Sequence, residues 1–412
     1  MQIDTVTTPV SVDGSATSAS QWLSVIAVAV SAFAFVTAEF LPVGLLPQIA
    51  HDLSVSTGVA GLMVTTPAVM AAIFAPALIV GAGRMDRRYV FLLLTAVLLI
   101  ANVVCAVAPG FAVMLVGRAL LGAALGGFWT LATAAAPRLV QGKDAAKATA
   151  TILTGVTLAT VVGVPLGTFI ASFASWRMAF AATAVLVALA LLAQALLVPS
   201  LPSASGLRLA DFRTLLGRPR TRLSMVMVAL VFGAHFSTYT YIAPLLEHDF
   251  SLSAITLLLF GFGLIGFFSN AFTSMAVADH LKKAVAAMIL LLLGAMSSML
   301  LLEHSPIGET AGMLLWGVAF GALPLCFSVW IQRDTTELPE AGSAMFVSVI
   351  QVAIAVGSAV GGTIVDRAGI HADFTLGLGL ALLGLAALQR LAATKRTAGA
   401  ASVECACDAS PD

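Results

Sequence analysis

Apolar residues run along this chain in blocks of about twenty, separated by short polar segments. A membrane-crossing helix needs about 20 predominantly apolar residues. The pattern predicts twelve such helices, over 22–46, 57–80, 89–108, 112–136, 149–173, 179–197, 223–245, 254–277, 284–302, 310–330, 341–364 and 373–389. The basic residues test that count, because Lys and Arg concentrate in loops on the cytoplasmic side. Alternate connections (81–88, 137–148, 198–222, 278–283, 331–340) and the tail 390–412 hold seventeen of the twenty Lys and Arg. The other loops hold only Arg177 and Arg367, and Arg118 lies within a span. Both termini are therefore expected in the cytoplasm.

The longest basic loop divides the helices six and six. The expected organisation is an N-terminal tail (1–21), a first bundle (22–197), a linker (198–222), a second bundle (223–389) and a C-terminal tail (390–412). From Pro199 the linker reads Pro-Ser-Leu-Pro-Ser-Ala-Ser-Gly before turning basic. The halves also echo each other. His51-Asp-Leu-Ser-Val-Ser56 follows the first span, and His248-Asp-Phe-Ser-Leu-Ser253 follows the seventh. With the six-plus-six count, this suggests a parallel repeat, the arrangement of transporters that bind substrate between two related halves.

Composition removes the alternatives. Of 412 residues, 60% are hydrophobic and 10% charged, against about 45–50% and about 25% in soluble domains. The formal net charge of zero excludes a globally basic nucleic-acid binder. Residues 1–21 contain no Lys or Arg, so they lack the basic start of a secretory signal. Of four cysteines, Cys105 and Cys326 lie in apolar runs, and Cys405 and Cys407 form only a C-x-C pair. That pair lacks the four-ligand spacing of a zinc site, so no metal is expected. There is no H-E-x-x-H, no G-x-S-x-G and no loop long enough for a soluble catalytic domain, so neither an enzyme nor a cofactor is expected. Gly261-Phe-Gly263-Leu-Ile-Gly266 matches a dinucleotide fingerprint, but it lies within a span and not after a strand.

Charges inside the membrane are functional candidates by default. Glu39 and Arg118 each lie some six or seven residues from the non-basic end of their spans, roughly 10 Å deep at 1.5 Å per residue. If both face a central cavity they can pair. A proton-coupling carboxylate and a static ion pair between helices both fit. His235, near the middle of the seventh span, titrates near neutral pH when unperturbed; a neutral histidine bonded to a neighbouring helix fits equally. Aligning Pro42 with Pro244 sets Tyr241 opposite Glu39, and aligning Gly321 with Gly122 sets Gly317, beside Trp316, opposite Arg118. These aromatics could stack a flat substrate or simply pack. Gln351 and Asn270 are the polar groups best suited to hydrogen-bond a substrate, or else bond one helix to another.

Several motifs carry a family resemblance. Arg118-x-x-x-Gly122-x-x-x-Gly126 resembles the fourth-helix signature of proton antiporters of the major facilitator superfamily. Gly83-Arg-Met-Asp86-Arg87-Arg88 resembles that family's gating motif, without its usual residue pair ending in Gly before the last Arg; topogenic charge alone would also explain it. Gly155 and Gly163-Val-Pro165-Leu-Gly167 resemble the glycine-rich motif of exporters, with Val164-Pro165 in place of Gly-Pro; ordinary small-residue packing is the alternative. Glu39-Phe-Leu-Pro42-Val-Gly resembles the first helix of bacterial efflux permeases in the drug/proton antiporter branch. Asp86-Arg-Arg-Tyr-Val90, Gly117-Arg118, Leu125-Gly-Gly-Phe-Trp129, Ser175-Trp176-Arg177, Val198-Pro-Ser-Leu-Pro202, Trp316-Gly317, Ala341-Gly-Ser343 and Val349-Ile-Gln351 extend the likeness from about residue 22 to 390.

The resemblance implies an all-α fold of two six-helix bundles in the bacterial inner membrane. It implies a monomeric, proton-coupled exporter of a small molecule, with protons and lipid as its other partners. Purine ribonucleosides such as inosine and guanosine are the implied cargo, with a sugar or a chloramphenicol-type drug as the alternative. Read from the residues themselves, Glu39, Arg118 and His235 would serve the proton, and Tyr241, Trp316, Gln351 and Asn270 the substrate; the resemblance does not extend to His235. Asp86, Arg87, Arg88, Gly163, Pro165 and Gly167 would serve gating, Asp86 by latching onto the other bundle.

Overall fold

A computed structural model describes residues 17–81, 85–141, 144–202, 209–302 and 304–407. Gly83 and Arg84 of the first basic loop, residues 203–208 of the linker, and residues 1–16 of the N-terminal tail lie outside them. Among the described residues, twelve helices are long and apolar enough to cross a membrane. They are α1 (Ala19–Asp52), α2 (Thr57–Ala75), α3 (Arg87–Ala106), α4 (Phe111–Trp129), α5 (Lys147–Phe173) and α6 (Trp176–Leu197), then α7 (Pro219–Tyr239), α8 (Leu252–Met275), α9 (Asp279–Leu301), α10 (Pro306–Asp334), α11 (Ala341–Ala368) and α12 (Ile370–Leu391). There is no strand among the described residues.

Three of these depart from the sequence expectation. α1 starts earlier because Ser18 caps it: its Oγ accepts from Gln21 N–H, and Gln21 Oε1 accepts from Ser18 N–H. It also runs past Pro42 and Pro47 to Asp52. A proline removes one helical hydrogen bond, and in a packed membrane helix neighbours can compensate. The segment 278–283, expected as a loop, is a kink: one helix runs Leu252–Leu301, with His280 alone out of helical geometry (φ −124°, ψ 30°). The last helix continues past its apolar part to Cys407.

Helices α1–α6 pack into one bundle and α7–α12 into another. In the first, α1 lies against α5 and α6, and α4 against α2 and α3; in the second, α7 lies against α11 and α12, and α8 and α9 against α10. Glycine permits close approach: a Cβ on Gly122 of α4 would collide with the backbone of Pro67 in α2. One apolar cluster fills the first bundle, and another fills the second and reaches Val43, Val64, Ala68 and Val164 of the first. A third joins Leu41, Leu45, Leu46, Trp176 and Phe180 of the first bundle to Tyr241 of the second. It lies at the end away from the loops rich in Lys and Arg, hereafter the opposite face; the Lys- and Arg-rich side is the basic face.

The bundles touch through α2 with α11 and through α5 with α8. α5 opens into a π-helical turn at Ala159–Gly163, and Gly263 of α8 seats there, its Cβ position only 2.6 Å from Val161 Cα. Such single-turn π-bulges occur at functional sites and let a helix bend. Gly263 belongs to the segment that mimicked a dinucleotide fingerprint, and its neighbour Gly266 faces Gly317 and Gly321 of α10. Helix packing accounts for both glycines.

Candidate functional site

α1 carries Glu39 to the boundary between bundles, where the residue is 6% exposed. Its carboxylate lies beside the Gln351 side chain of α11, in the other bundle. The second polar atom of that amide, Gln351 Oε1, has no partner. Beside it Phe40 stacks on Phe236 of α7, with ring centroids 5.7 Å apart.

The expected Glu39–Arg118 ion pair is not formed. Arg118 is fully buried, and its guanidinium donates to three backbone carbonyls, Met63 from Nε, Ala38 from Nη1 and Glu39 from Nη2, each at 2.6 Å. α4 thus hangs its charge on the backbones of α1 and α2. Arg118 lies close enough to feel the Glu39 carboxylate electrostatically, but every directed bond goes to the main chain. The reason is geometric: a planar fork of donors can satisfy carbonyls that a helix leaves accessible.

His235, 1% exposed, lies within the second bundle. Its Nδ1 accepts from Trp316 Nε1 at 3.0 Å, so that nitrogen carries no proton. The ring lies flat on Phe320 (centroids 3.3 Å, 3° between planes) and stacks on Tyr239. The arrangement is an aromatic block, with no contact to Glu39. Trp316 is fully buried with its N–H used, while Phe40 and Phe320 are only half-buried. Phe40 and Phe320 each have one ring face covered, by Phe236 and His235, and keep partial exposure. Asn270 is half-buried and makes no side-chain hydrogen bond.

Tyr241, expected opposite Glu39 at a substrate site, is instead part of the seal at the opposite face. It is fully buried, and its hydroxyl donates to Ser358 O of α11 at 2.7 Å. Beside it the Thr65 and Ser358 hydroxyls meet across the bundles at 2.7 Å. The Pro42–Pro244 alignment missed this because Tyr241 stands at the break after α7, ahead of a separate short helix, Ile242–Leu246.

Asp366 of α11 completes the seal. It accepts from Ser56 Oγ at 2.5 Å and from Gly58 N–H at 2.8 Å, and so caps the start of α2 from the other bundle. An anion is favoured at a helix N-terminus, where unpaired N–H groups and the dipole converge. Sequence reasoning passed over Asp366, though a carboxylate beside Arg367 at a helix end was a usable signal. It also missed Asp373, which is fully buried with neither carboxylate oxygen hydrogen-bonded. The expected span 373–389 sets Asp373 at its boundary, where a charge is commonplace.

Replacing Asp366 with Asn removes the charge that holds the two helix ends together. Charged hydrogen bonds contribute roughly 1.5–3 kcal/mol. Asp366→Asn is therefore expected to raise the opening of the 56–65 segment by about tenfold or more, since 1.4 kcal/mol is about a factor of ten. Hydrogen exchange at Gly58 to Thr65 reads this directly; unchanged protection would remove Asp366 from the seal.

The gating motif is spent differently from expectation. Asp86 caps α3 through Arg88 N–H (2.9 Å), accepts from the Ser200 hydroxyl, and accepts from Leu201 N–H at 2.8 Å. The Ser200 bond first, then the two N–H donors, hold its carboxyl below the usual carboxylate range. Arg87 N–H donates to Leu201 O, and Arg88 Nη2 to Ala195 O. Asp86 therefore ties the linker to its own bundle and not to the other one. Gly163 and Gly167 also serve their own bundle. A Cβ on Gly163 would lie 2.5 Å from Thr37 Oγ1, and one on Gly167 would meet Leu41, both in α1. Pro165 opens the α-helical stretch that resumes after the π-turn.

Comparison with known proteins follows the same lines. Residues 28–348 match the family model described as the Major Facilitator Superfamily. The chain is 34% identical over 366 residues to the purine ribonucleoside efflux pump NepI of Salmonella paratyphi B, covering 88% of this chain and 92% of that one. The NepI protein of Salmonella typhimurium is likewise 34% identical, over 364 residues. Among solved structures, the nucleoside transporter NupG superposes with a TM-score of 0.73 at 15% identity, covering 90% of this chain and 99% of the other. A bacterial homologue of the human lysosomal transporter Spinster superposes with a TM-score of 0.67 at 15% identity, covering 91% and 96%.

Proposed function

This chain belongs to the major facilitator superfamily, and we propose that it exports purine ribonucleosides in exchange for protons. It is a multi-pass membrane transporter and not an enzyme. On this reading it lies in the bacterial inner membrane as a monomer, with its basic face and both termini in the cytoplasm. The clustering of inter-bundle bonds at the opposite face then corresponds to a carrier closed to the outside.

One observation carries the coupling: Glu39 is buried between the bundles with no ion pair, Arg118 acting on its carboxylate only at a distance, and its neighbour on the other bundle is a neutral amide. A carboxylate taken out of water without a paired charge is costly. Closure of the outer side is therefore favoured when Glu39 is protonated, because the neutral acid can also donate to the orphaned Gln351 Oε1. Opening to the outside hydrates Glu39 and lets it recharge with a proton. Inward proton flow thus drives return to the inward-facing state, and substrate drives the reverse step. Arg118 supports this by fixing the backbone of Ala38 and Glu39, so that the carboxylate meets Gln351 in a set position. The partly exposed rings of Phe40 and Phe320 offer a stacking surface for a flat base.

The substrate reading rests on the relatives, whose printed name is a purine ribonucleoside efflux pump. It is tested in proteoliposomes with radiolabelled inosine under an imposed pH gradient. Accumulation that collapses on adding an uncoupler is the expected result. Gradient-driven movement of a sugar or chloramphenicol, but not of inosine, would overturn the cargo and leave the antiport in place.

A further inference from the structure

A cluster at the opposite face, outside the transport path, has the composition of a metal site. His248 and Asp249 lie in the turn after the short helix Ile242–Leu246, and His304 lies in the turn between α9 and α10. One ligand atom from each lies within 4.8 Å of the other two. Asp249 Oδ2 is 3.3 Å from His304 Nδ1 and 3.6 Å from His248 Nδ1. Zinc bonds of 2.0–2.2 Å in a tetrahedron place neighbouring ligand atoms about 3.4 Å apart. Both measured separations are near that edge length.

A second carboxylate lies next to Asp249, outside the three-residue group. Glu309, in the first turn of α10, is 2% exposed, and its carboxyl meets that of Asp249. Its Oε2 is buried without a hydrogen-bond partner. Two carboxylates in contact repel unless a proton or a cation stands between them. His304 meanwhile holds a left-handed backbone (φ 63°), a conformation that costs a non-glycine residue energy.

The internal repeat makes the contrast plain. Asp52, the counterpart of Asp249 in the first half, is neutralised by Arg177 and accepts from Trp176 Nε1 at 3.0 Å. At Asp249 two imidazoles and a second carboxylate take the place of that arginine. The two carboxylic acids bring the negative charge that a divalent ion would balance. Two imidazoles with carboxylates suit zinc and its transition-metal neighbours better than calcium or magnesium, which prefer all-oxygen shells.

We propose that His248, Asp249, His304 and Glu309 form a binding site for a divalent transition metal of the zinc class. The two histidines are exposed, so the ion enters from the aqueous side. The sequence offered no zinc motif, because His248 and His304 are fifty-six positions apart and only the packing of α7 against α10 unites them. Occupation would brace the segment Ile242–Leu246, which packs against α1 of the other bundle.

The test uses the full chain in detergent with Cys405→Ser and Cys407→Ser, which removes the tail thiols. Zinc alone is titrated by calorimetry, with magnesium as the comparison ion. The expected result is one zinc ion per chain and a raised Tm, with affinity falling about a hundredfold in His248→Gln/His304→Gln. Both histidines are exposed, so that variant is expected to elute like the parent on size exclusion. Glu309→Gln, isosteric at a buried position, is expected to weaken binding about tenfold. Equal zinc binding by parent and double-histidine variant would overturn the site, as would no uptake by the parent or equal affinity for magnesium.

Discussion

Glu39→Gln abolishes gradient-driven accumulation of substrate, a loss of at least about a hundredfold if this carboxylate is the coupling group, while binding stays within about twofold. The amide mimics a permanently protonated acid, keeps the contact with Gln351 and removes the charge whose burial links closure to proton uptake. Exchange of labelled for unlabelled solute without a pH gradient is expected to survive, because rocking between states no longer requires a proton to leave. The measurement is uptake into proteoliposomes under an imposed gradient, beside counterflow without one. Full active transport by the variant would sink the coupling role. Loss of both activities together would point to a structural role instead.

Arg118→Leu is expected to destabilise the protein more than any other single change at the site. It leaves the carbonyls of Ala38 and Met63 buried without a donor, because the residues four positions on, Pro42 and Pro67, have no N–H, and it takes the second donor from Glu39 O. Each orphaned polar group costs roughly 1–3 kcal/mol. A stability loss of several kcal/mol and a large drop in folded yield follow. Arg118→Lys cannot reproduce the three-way fork with its single ammonium, so it recovers only part of the loss. The decisive comparison is a double-mutant cycle with Glu39→Gln. Since Arg118 bonds the main chain and not the carboxylate, its loss is expected to cost about as much in the Glu39→Gln background, to within roughly 0.5 kcal/mol. A much smaller cost there would restore the ion pair that the sequence suggested.

Both predictions turn on residues the sequence marked and on partners it did not. Glu39 and Arg118 stood out because charge within an apolar run is legible from one stretch of chain. Their pairing was inferred from matched depth alone, and depth does not say which way a side chain turns. The guanidinium found carbonyls on α1 and α2, and the carboxylate found an amide more than three hundred positions away. Tyr241 shows the same limit: a correct residue type at the right level became part of the seal, because the chain breaks after α7 and turns its hydroxyl to Ser358.

What the sequence determined by itself was the set of twelve spans, their division into two sixes, the asymmetry of basic loops and the presence of charge at depth. These follow from hydropathy and charge, which are properties of contiguous residues read against a fixed membrane thickness. Only the tertiary structure decided who meets whom. It set Asp366 on the start of α2, Gly263 in the π-turn of α5, Asp86 on its own linker, and His248, Asp249, His304 and Glu309 together in one corner. Those contacts depend on how helices distant in the chain rotate and approach, and local composition carries no record of that.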